Sequence, residues 1–393
     1  MLDSSEPRFS QSPEASSHRR IMIVAGEASG DLYGADLAVQ LRARDPNCEI
    51  YGIAGRRMRT VGVRALVNIE HITGLGLAEL GSSLWRTVRA LQILRAELHR
   101  SPPSLLILID YAEFNLILSG IAHRAGVPVL YYILPQVWAW RRGRVRKLVR
   151  RSNRMAVVLP FEAALYGDAG GKVTFVGHPL LDRVAPAQGR AETLARHGFA
   201  AGTRLLAILP GSRRGEIRYL LKPLLEAARI LSEDHNLVPV IALAPTLSAD
   251  DLEKTAGADK LNHMHIVAED TYSIVSASEL ALVASGTATL ETALLGCPMV
   301  IVYRGSPLTY FLGRLLVRGV HYFGMPNILA GRRLVPELLQ GQVNVTNLVR
   351  AAEPMLAEPQ RSEIAGALKS LRGVLGLPKA AERVAAMAIE ISR

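Results

Sequence analysis

Short apolar runs alternate with amphipathic stretches along most of the chain. In the first half, apolar residues at helical spacing separate most of these runs, for example at 33–44 and 83–100. The runs predict buried strands at 21–25, 49–53, 105–109, 127–132, 155–159 and 173–176. Strands alternating with helices in this way predict a parallel, doubly wound sheet.

A polar segment follows residue 185, and the alternation then restarts. The second set of apolar runs lies at 205–209, 237–243, 265–267, 280–283 and 299–303. The sequence therefore predicts an α/β protein of two doubly wound, Rossmann-like domains that face an interdomain cleft. The predicted boundaries are 1–20 for a disordered tail, 21–185 and 186–360 for the two domains, and 361–393 for helices that pack back on the fold.

Composition narrows the possible ligands without choosing among them. Lys and Arg number 46 against 35 for Asp and Glu, a formal net charge of +11. Such a surplus favours binding of anions: nucleic acid, phosphorylated small molecules or anionic headgroups.

The two cysteines, Cys48 and Cys297, are too few for a disulfide framework or a cysteine zinc site. The polar, Ser/Pro-rich N-terminus lacks the apolar core of a secretory signal, and no charge-free apolar run reaches the roughly 20 residues of a membrane helix. The sequence predicts a cytoplasmic protein whose membrane contact is peripheral.

A glycine-rich turn follows the first strand and leads into a helix. Its candidate ligand-binding residues are Gly26, Glu27, Ser29, Gly30 and Asp31. Glycines permit a tight turn, and a helix N-terminus offers unpaired N–H groups to an anion or a hydroxyl. The spacing is not that of a dinucleotide fingerprint. Capping of the helix by Ser29 or Asp31 is the structural alternative.

The strongest candidate for acid–base chemistry is Asp110, at the carboxyl end of the run LLILI. A carboxylate there points into the predicted cleft, where it can accept a proton from an attacking hydroxyl. Glu113 is a second candidate for this role, and Asn115 is a candidate for substrate binding. Helix capping or pairing with a cation is the alternative for Asp110.

Two strand-to-helix turns in the second half predict anion binding. In the first, the backbone of Gly211 and Ser212 and the guanidinium of Arg213 suit phosphate, and Glu216 follows within one turn. The second turn contains three further candidates and a carboxylate suited to sugar hydroxyls, namely Ser285, Gly286, Thr287 and Glu291. Two such turns in one domain predict a nucleoside diphosphate, whereas ordinary turns with a surface arginine and a helix-dipole glutamate are the alternative.

An aromatic and basic segment follows the fourth run, 127–132. It predicts a surface for membrane headgroups or phosphate, with the candidates Trp138, Trp140, Arg141, Arg142, Arg144 and Arg146. Nucleic acid would also suit aromatic and basic residues, but the sequence contains no nucleic-acid recognition module. A solvated basic helix with tryptophans in the core is the structural alternative. The stretches 83–99 and 308–320 predict either core helices or helices that dock on a bilayer.

The sequence predicts no metal and no cofactor. It contains no HExxH motif, no Walker lysine motif and no DxD-like pair in a suitable context. Asp250 and Asp251 precede a helical stretch and are interpreted as a helix cap.

The ordered motifs resemble the bacterial lipid-A-disaccharide synthase family over residues 21 to 350. They are AGEASGD, YGIAGRRM, GLGLAEL, IDYAEFN, PQVWAWRRGRV, LPFE, FVGHPLLD, LPGSRRGEI, ASGTATLE, PMVIVYR and MPNILAGRRLVPELLQ. The set is specific because few families share VWAW, LPGSR and MPNILAG. The chain differs from many relatives at Ala112 and Glu113, where a proline and an aspartate are usual, and at Leu134, where serine is more usual.

The resemblance implies a GT-B fold and metal-free, inverting transfer. The implied donor is UDP-2,3-diacylglucosamine, the acceptor is 2,3-diacylglucosamine 1-phosphate, and the products are β-1,6-linked lipid A disaccharide 1-phosphate and UDP. By position, Asp110 matches the essential aspartate, Arg213 the arginine for the diphosphate and Glu291 the glutamate near the ribose. Glu79 and Asn327 lie in family motifs and are implied to bind substrate. The resemblance also implies an acceptor- and membrane-side first domain, a UDP-sugar-binding second domain, a homodimer and a place on the cytoplasmic face of the inner membrane.

Two other functions remain open at this point. Another UDP-sugar enzyme of this fold, such as a UDP-N-acetylglucosamine 2-epimerase or a murein-precursor transferase, would share the cleft but not VWAW beside the basic run. A catalytically idle membrane or nucleic-acid binder would use only the basic surface.

Overall fold

The computed structural model describes residues 19–72, 80–137, 142–262, 264–305 and 321–392. Within these ranges the first half of the chain forms a parallel sheet in the spatial order β3-β2-β1-β4-β5-β6-β7. Its strands are Arg20–Ala25 (β1), Glu49–Ala54 (β2), Arg64–Asn68 (β3), Leu105–Ile109 (β4), Val129–Tyr132 (β5), Arg154–Val157 (β6) and Val173–Phe175 (β7). All five residues of β4 are buried, as expected for a central strand covered by helices on both faces.

The second half forms another parallel sheet, in the order β10-β9-β8-β11-β12-β13. Its strands are Leu205–Leu209 (β8), Val238–Leu243 (β9), His265–Ala268 (β10), Ser278–Ala284 (β11), Met299–Tyr303 (β12) and Glu337–Leu339 (β13). The alternation predicted from the sequence is therefore present in both halves, and the predicted fold class is confirmed.

Helices connect the strands and cover the sheets, because parallel neighbours need a crossover. In the first half they are Ala28–Arg44 (α1), Arg56–Thr60 (α2), Leu80–Arg100 (α3), Ala112–Arg124 (α4), Val145–Arg151 (α5) and Pro160–Gly167 (α6). In the second half they are Arg190–Arg196 (α7), Arg214–His235 (α8), Ala249–Ala256 (α9), Ala258–Leu261 (α10), Thr271–Ala277 (α11), Thr287–Leu294 (α12), Met325–Ala330 (α13), Val345–Ala352 (α14), Gln360–Val374 (α15) and Ala380–Ile391 (α16).

The last helix returns to the first half and packs on α1. Its small residues Ala385 and Ala388 are fully buried, which allows close approach of the two helices. Arg44 of α1 lies 3.7 Å from Glu382 at the edge of this contact. The C-terminal segment thus links the two halves of the molecule.

The order of the strands defines where a ligand binds. In the first sheet, β1 lies between β2 and β4, and Ala25 pairs with Ile109. In the second, β8 lies between β9 and β11, and Leu209 pairs with Val283. At these two switch points the connections leave toward opposite faces, which opens a crevice at the carboxyl ends of the strands. The predicted turns at 26–31, 110, 211–213 and 285–287 all begin there.

Candidate active site

Asp110 lies in a strained turn at the end of β4. Its φ of 48° and the φ of 52° at Tyr111 are both left-handed, a conformation that costs non-glycine residues free energy and is concentrated at functional sites. The ring of Tyr111 packs directly on Gly26, where an added Cβ would lie 2.0 Å from the Tyr111 Cγ. Gly26 is therefore required by this close approach, and the first-strand turn and the Asp110 turn form one unit.

Asn115 supports this turn from inside the protein. Its side chain is fully buried, and its amide nitrogen donates hydrogen bonds to the backbone carbonyls of Ile109, at 3.3 Å, and Asp110. The sequence predicted Asn115 as a substrate-binding residue. The structure instead places it beneath the turn, with no exposed surface for a substrate.

The surroundings of Asp110 raise its pKa to about 6. Burial of the carboxyl group is the main cause, and the negative charge of Glu27 adds to it. A hydrogen bond from the Tyr111 backbone amide and the positive charge of Arg213 act in the opposite direction. A carboxylate with this pKa is ionised at neutral pH and is a stronger base than an ordinary aspartate, as a proton acceptor requires.

The two halves meet through an ion pair between Glu27 and Arg213. The Arg213 guanidinium donates to the Glu27 carboxylate across 2.9 Å, although the residues are 186 positions apart in the chain. Glu27 directly precedes α1 of the first half, and Arg213 directly precedes α8 of the second. The carboxyl ends of the two sheets therefore face each other across one cleft, with Asp110 on one side and Arg213 on the other.

The backbone of the 211–213 turn is already satisfied internally. Glu216 accepts hydrogen bonds from the backbone amides of Ser212, at 2.9 Å, and Arg213, at 3.3 Å, and so caps the start of α8. A Cβ on Gly211 would lie 2.5 Å from this carboxylate. Phosphate binding by these amides, as predicted from the sequence, would require Glu216 to move, whereas the Arg213 side chain is half-exposed to the cleft.

The second turn of this half is open. The Ser285 amide donates to the Val302 carbonyl at 2.8 Å, which continues the ladder of β11. Gly286, with φ of 154°, and Thr287 are exposed at the start of the eight-residue helix α12. Among the described residues no group accepts a hydrogen bond from the Gly286 or Thr287 amide. These N–H groups remain available for an anion at a helix N-terminus.

Glu291 lies one turn further along α12, close to the first half. The Tyr272 hydroxyl donates to its Oε1 at 2.8 Å. Burial raises the pKa of Glu291, and the bond from Tyr272 opposes that rise. Burial raises the pKa of the Tyr33 phenol on α1, and the negative charge of Glu291 raises it further. Sequence reasoning missed both tyrosines, although the position of Tyr272, soon after the end of β10, is a detectable signal.

Other predicted site residues have structural partners. Asp31 is buried and accepts hydrogen bonds from the backbone amides of Gly55, Arg57 and Met58, so it caps α2. Helix capping, the alternative that the sequence offered for Asp31, is thus present, although Asp31 caps α2 and not α1.

Ser29 and Gly30 lie in the first turn of α1, and an added Cβ on Gly30 would lie 3.3 Å from the Ala25 side chain.

Asn327 is also turned away from the cleft. It is fully buried, and its amide donates to the Val335 carbonyl at 2.9 Å and the Glu337 carboxylate at 2.8 Å. Its side-chain oxygen accepts from the amides of Leu334, at 2.7 Å, and Val335, at 3.0 Å. These bonds leave no side-chain group of Asn327 for a substrate and indicate that it fixes the loop after α13.

The aromatic and basic segment is described in part. Arg144 forms an ion pair at 2.6 Å with Glu113, which is more than half exposed at the start of α4, and Arg146 is exposed on α5. Outside the described residues lie Glu79, Trp138, Trp140, Arg141 and the side chain of Arg142, together with the tail at 1–18 and the stretch 306–320.

In the described part of the chain, no three His, Cys, Asp or Glu residues are grouped as a metal site requires.

Comparison with solved structures identifies the fold class. A UDP-N-acetylglucosamine 2-epimerase from Neisseria meningitidis bound to UDP-GlcNAc matches with a TM-score of 0.65 at 13% identity, covering 94% of this chain and all of that chain. MurG from Acinetobacter baumannii matches with a TM-score of 0.58 at 16% identity, covering 95% and 99%. The fold and its two facing switch points therefore define a GT-B protein.

Sequence comparison identifies the family within this class. The profile of the lipid-A-disaccharide synthetase family matches residues 21–388. The lipid-A-disaccharide synthase of Syntrophus aciditrophicus is 44% identical over 377 residues, which are 94% of this chain and 97% of the relative, and that of Geobacter sulfurreducens is 44% identical over 380 residues, or 96% and 98%. The chain belongs to the lipid-A-disaccharide synthase family.

Family membership gives the activity. The protein is a glycosyltransferase of lipid A biosynthesis, and it joins UDP-2,3-diacylglucosamine to 2,3-diacylglucosamine 1-phosphate with release of UDP. The prediction from the ordered motifs is confirmed. An epimerase, a murein-precursor transferase or an idle binder shares at most the fold or the surface charge and does not account for the match along 21–388.

Proposed function

We propose that Asp110 is the general base that accepts the proton of the acceptor 6-hydroxyl. The single observation that carries this proposal is the position of Asp110 at the switch point of the first sheet, opposite Arg213, in surroundings that raise its pKa to about 6. Glu113 is a weaker candidate for the base, because its carboxylate is held by Arg144. Asp110 therefore acts on the acceptor from the first half while the donor lies on the second.

Arg213 and the open amides of Gly286 and Thr287 would bind the donor diphosphate. The guanidinium reaches into the cleft, and the α12 N-terminus presents N–H groups at the adjacent strand end. Leaving-group charge develops on this diphosphate during transfer, so positive groups fixed in place stabilise the transition state. They would perform this part of the reaction without a metal.

Glu291 would bind the ribose hydroxyls of the same donor. Tyr272 engages Oε1, which orients the carboxylate, and no bond of the described residues engages Oε2. A carboxylate oriented by one partner can accept hydrogen bonds from two neighbouring hydroxyls with its remaining lone pairs. The donor would then lie along the second sheet, with its sugar toward Asp110.

The protein would act at an anionic inner-membrane surface, on its cytoplasmic face. None of the described helices is long and apolar enough to cross a membrane. On α3, Trp85 is 66% exposed and Val88 is 37% exposed, while Arg89 beside them is exposed. α3 and the basic helix α5 both pack on α4, so apolar and cationic groups share one side of the first half.

The proposal is tested with purified protein, the two lipid substrates and detection of both disaccharide and UDP. Wild-type protein should form both products, and Asp110→Asn should form neither while still binding UDP. Normal turnover in that variant would remove Asp110 from the base role. The homodimer stays a prediction, and the mass of the purified protein by light scattering tests it.

A further inference from the structure

The ion pair between Glu27 and Arg213 joins the two halves at the point where the donor diphosphate would bind. The side chains are 46% and 52% exposed, so solvent and ligands reach both of them. Ion pairs with this exposure contribute little to stability, because solvent and salt screen the two charges. An incoming ligand with stronger contacts can therefore replace either partner.

The backbone and the side chain of Arg213 are engaged by different carboxylates. Glu216 holds the backbone amide as part of the cap of α8, a role that preserves the helix. Glu27 holds only the guanidinium. The guanidinium is thus the group that a ligand can engage without unwinding α8, and one carboxylate oxygen already lies 2.9 Å from it, at the distance a phosphate oxygen would take.

The same guanidinium cannot serve both anions well. A diphosphate carries more negative charge than a carboxylate and binds arginine through paired hydrogen bonds. If Glu27 stayed in place, its negative charge would lie against the phosphates in a cleft partly shielded from water. Either the diphosphate binds weakly or Glu27 leaves.

We propose that Glu27 is an internal competitor for the donor diphosphate, which exchanges with it on the Arg213 guanidinium. The proposal rests on the proposed function, in which Arg213 binds the diphosphate. Without a ligand, Glu27 forms the ion pair with Arg213. The donor diphosphate replaces Glu27 when it binds, and the ion pair forms again when UDP dissociates. Glu27 thereby lowers the affinity of the cleft for UDP and favours release of this product.

Exchange also changes the surroundings of the base. Glu27 lies between α1 and Gly26, on which the Tyr111 ring of the Asp110 turn packs. When the diphosphate occupies Arg213, Glu27 loses its cation while remaining attached to this turn. Glu27 is therefore a positioning residue, which acts through Arg213 and Asp110 and need not touch the transferred sugar.

The test is calorimetric titration of UDP into wild-type protein, Glu27→Gln, Arg213→Ala and the double variant. Glutamine keeps the shape of Glu27 and removes its charge, and the first bond of α1 uses the Glu27 backbone carbonyl, which the substitution keeps. We expect Glu27→Gln to bind UDP about threefold to tenfold more tightly, since competition and repulsion are both lost. In the Arg213→Ala background, the same substitution should change UDP affinity less than about twofold.

Glu70→Gln is the matched control. Glu70 follows β3, the outermost strand of the first sheet, is 52% exposed and pairs with Arg59 at 3.0 Å, so the substitution makes the same charge change away from the switch point between β1 and β4. It should leave UDP affinity unchanged. Thermal unfolding of every variant shows whether it is folded at the titration temperature.

The outcomes separate the exchange from the function on which it rests. Unchanged or weaker UDP binding by Glu27→Gln, together with weaker binding by Arg213→Ala, overturns the exchange and leaves Arg213 as the diphosphate residue. A gain that persists without Arg213, or that Glu70→Gln reproduces, shows a general charge effect and also overturns it. Unchanged UDP affinity in Arg213→Ala contradicts the diphosphate assignment itself.

Discussion

The side chain of Asn115 donates a hydrogen bond to the backbone carbonyl of Asp110, from the side of the turn that faces the protein core. This contact relates a fully buried amide to the candidate base, whose backbone has the left-handed φ of 48°. A turn in this conformation persists only where surrounding groups hold it. Asn115 is therefore a positioning residue for Asp110.

Replacement of Asn115 by leucine should lower turnover and leave UDP binding intact. The substitution keeps the approximate volume but leaves the Ile109 and Asp110 carbonyls without their side-chain partner, so we expect a loss of stability of about 1–3 kcal/mol. Turnover should fall about tenfold or more because the base is displaced. Arg213 and Gly286 lie on the other half, so UDP affinity measured by calorimetry should stay within about twofold.

Ser119→Ala is the control for this prediction. Ser119 is buried on the same helix and donates to the Leu116 carbonyl at 2.9 Å, away from the turn. It should reduce stability without reducing turnover below the unfolding temperature. Equal losses of turnover in both variants would show that Asn115 acts only through stability.

Asp110→Asn should be more stable than the wild type at neutral pH and inactive. Because burial raises the pKa of Asp110 from 3.8 to about 6, the folded protein favours the protonated carboxyl group. The contribution of this group to stability is complete below pH 3.8 and is lost as the pH rises through about 6. Asparagine avoids that loss and also tolerates the left-handed backbone.

We expect urea unfolding at pH 7 to show a gain of about 1–3 kcal/mol for Asp110→Asn. At pH 4 the gain should shrink, because the wild-type carboxyl group is then mostly protonated. A variant that is less stable at pH 7 would contradict the burial of an ionised carboxylate at this position.

Turnover should depend on pH through Asp110. The base must be ionised to accept a proton, so kcat/KM should fall on the acidic side of about pH 6, by about tenfold for each further pH unit. Glu27→Gln should move this inflection to lower pH, since the charge of Glu27 raises the pKa of Asp110. An inflection that does not respond to Glu27→Gln would assign the titration to another group.

The sequence predicted the two sheets and the turns of the cleft because both depend on local pattern. It did not predict strand Arg64–Asn68, which is incompletely buried at an edge with a shift in register, or the three-residue strand Glu337–Leu339. Nor did it predict which motif residues face inward. Asn115 and Asn327 lie in motifs beside the cleft, but only tertiary packing determines that their amides are directed at backbone carbonyls.

Membrane binding should depend on the exposed apolar residues of α3. The double variant Trp85→Glu/Val88→Glu removes apolar area and adds negative charge on the side of the first half where α3 and the basic helix α5 both lie. Binding to vesicles containing phosphatidylglycerol should therefore fall about tenfold or more. Val374→Glu/Leu377→Glu is the control, because these residues are 39% and 72% exposed elsewhere on the surface. A sedimentation assay with vesicles compares the two, and equal losses would reject α3 as the docking helix.

Recognition of the donor ribose should depend on Glu291. If the Glu291 carboxylate accepts hydrogen bonds from the two ribose hydroxyls, wild-type protein should bind UDP more tightly than 2′-deoxy-UDP, by about tenfold to 150-fold for one lost bond to a charged group. Glu291→Gln should bind UDP more weakly and should discriminate less between the two nucleotides, because a neutral amide accepts more weakly.

Tyr272→Phe provides the matched test of how Glu291 is oriented. It removes the hydroxyl that donates to Oε1 at 2.8 Å and keeps the ring. Since that bond opposes the rise in the pKa of Glu291 caused by burial, its loss should raise the pKa further and weaken UDP binding most at the acidic end of the range. Equal discrimination against 2′-deoxy-UDP in wild type and Glu291→Gln would place the ribose away from this carboxylate, while the assignments of Asp110 and Arg213 would be unaffected.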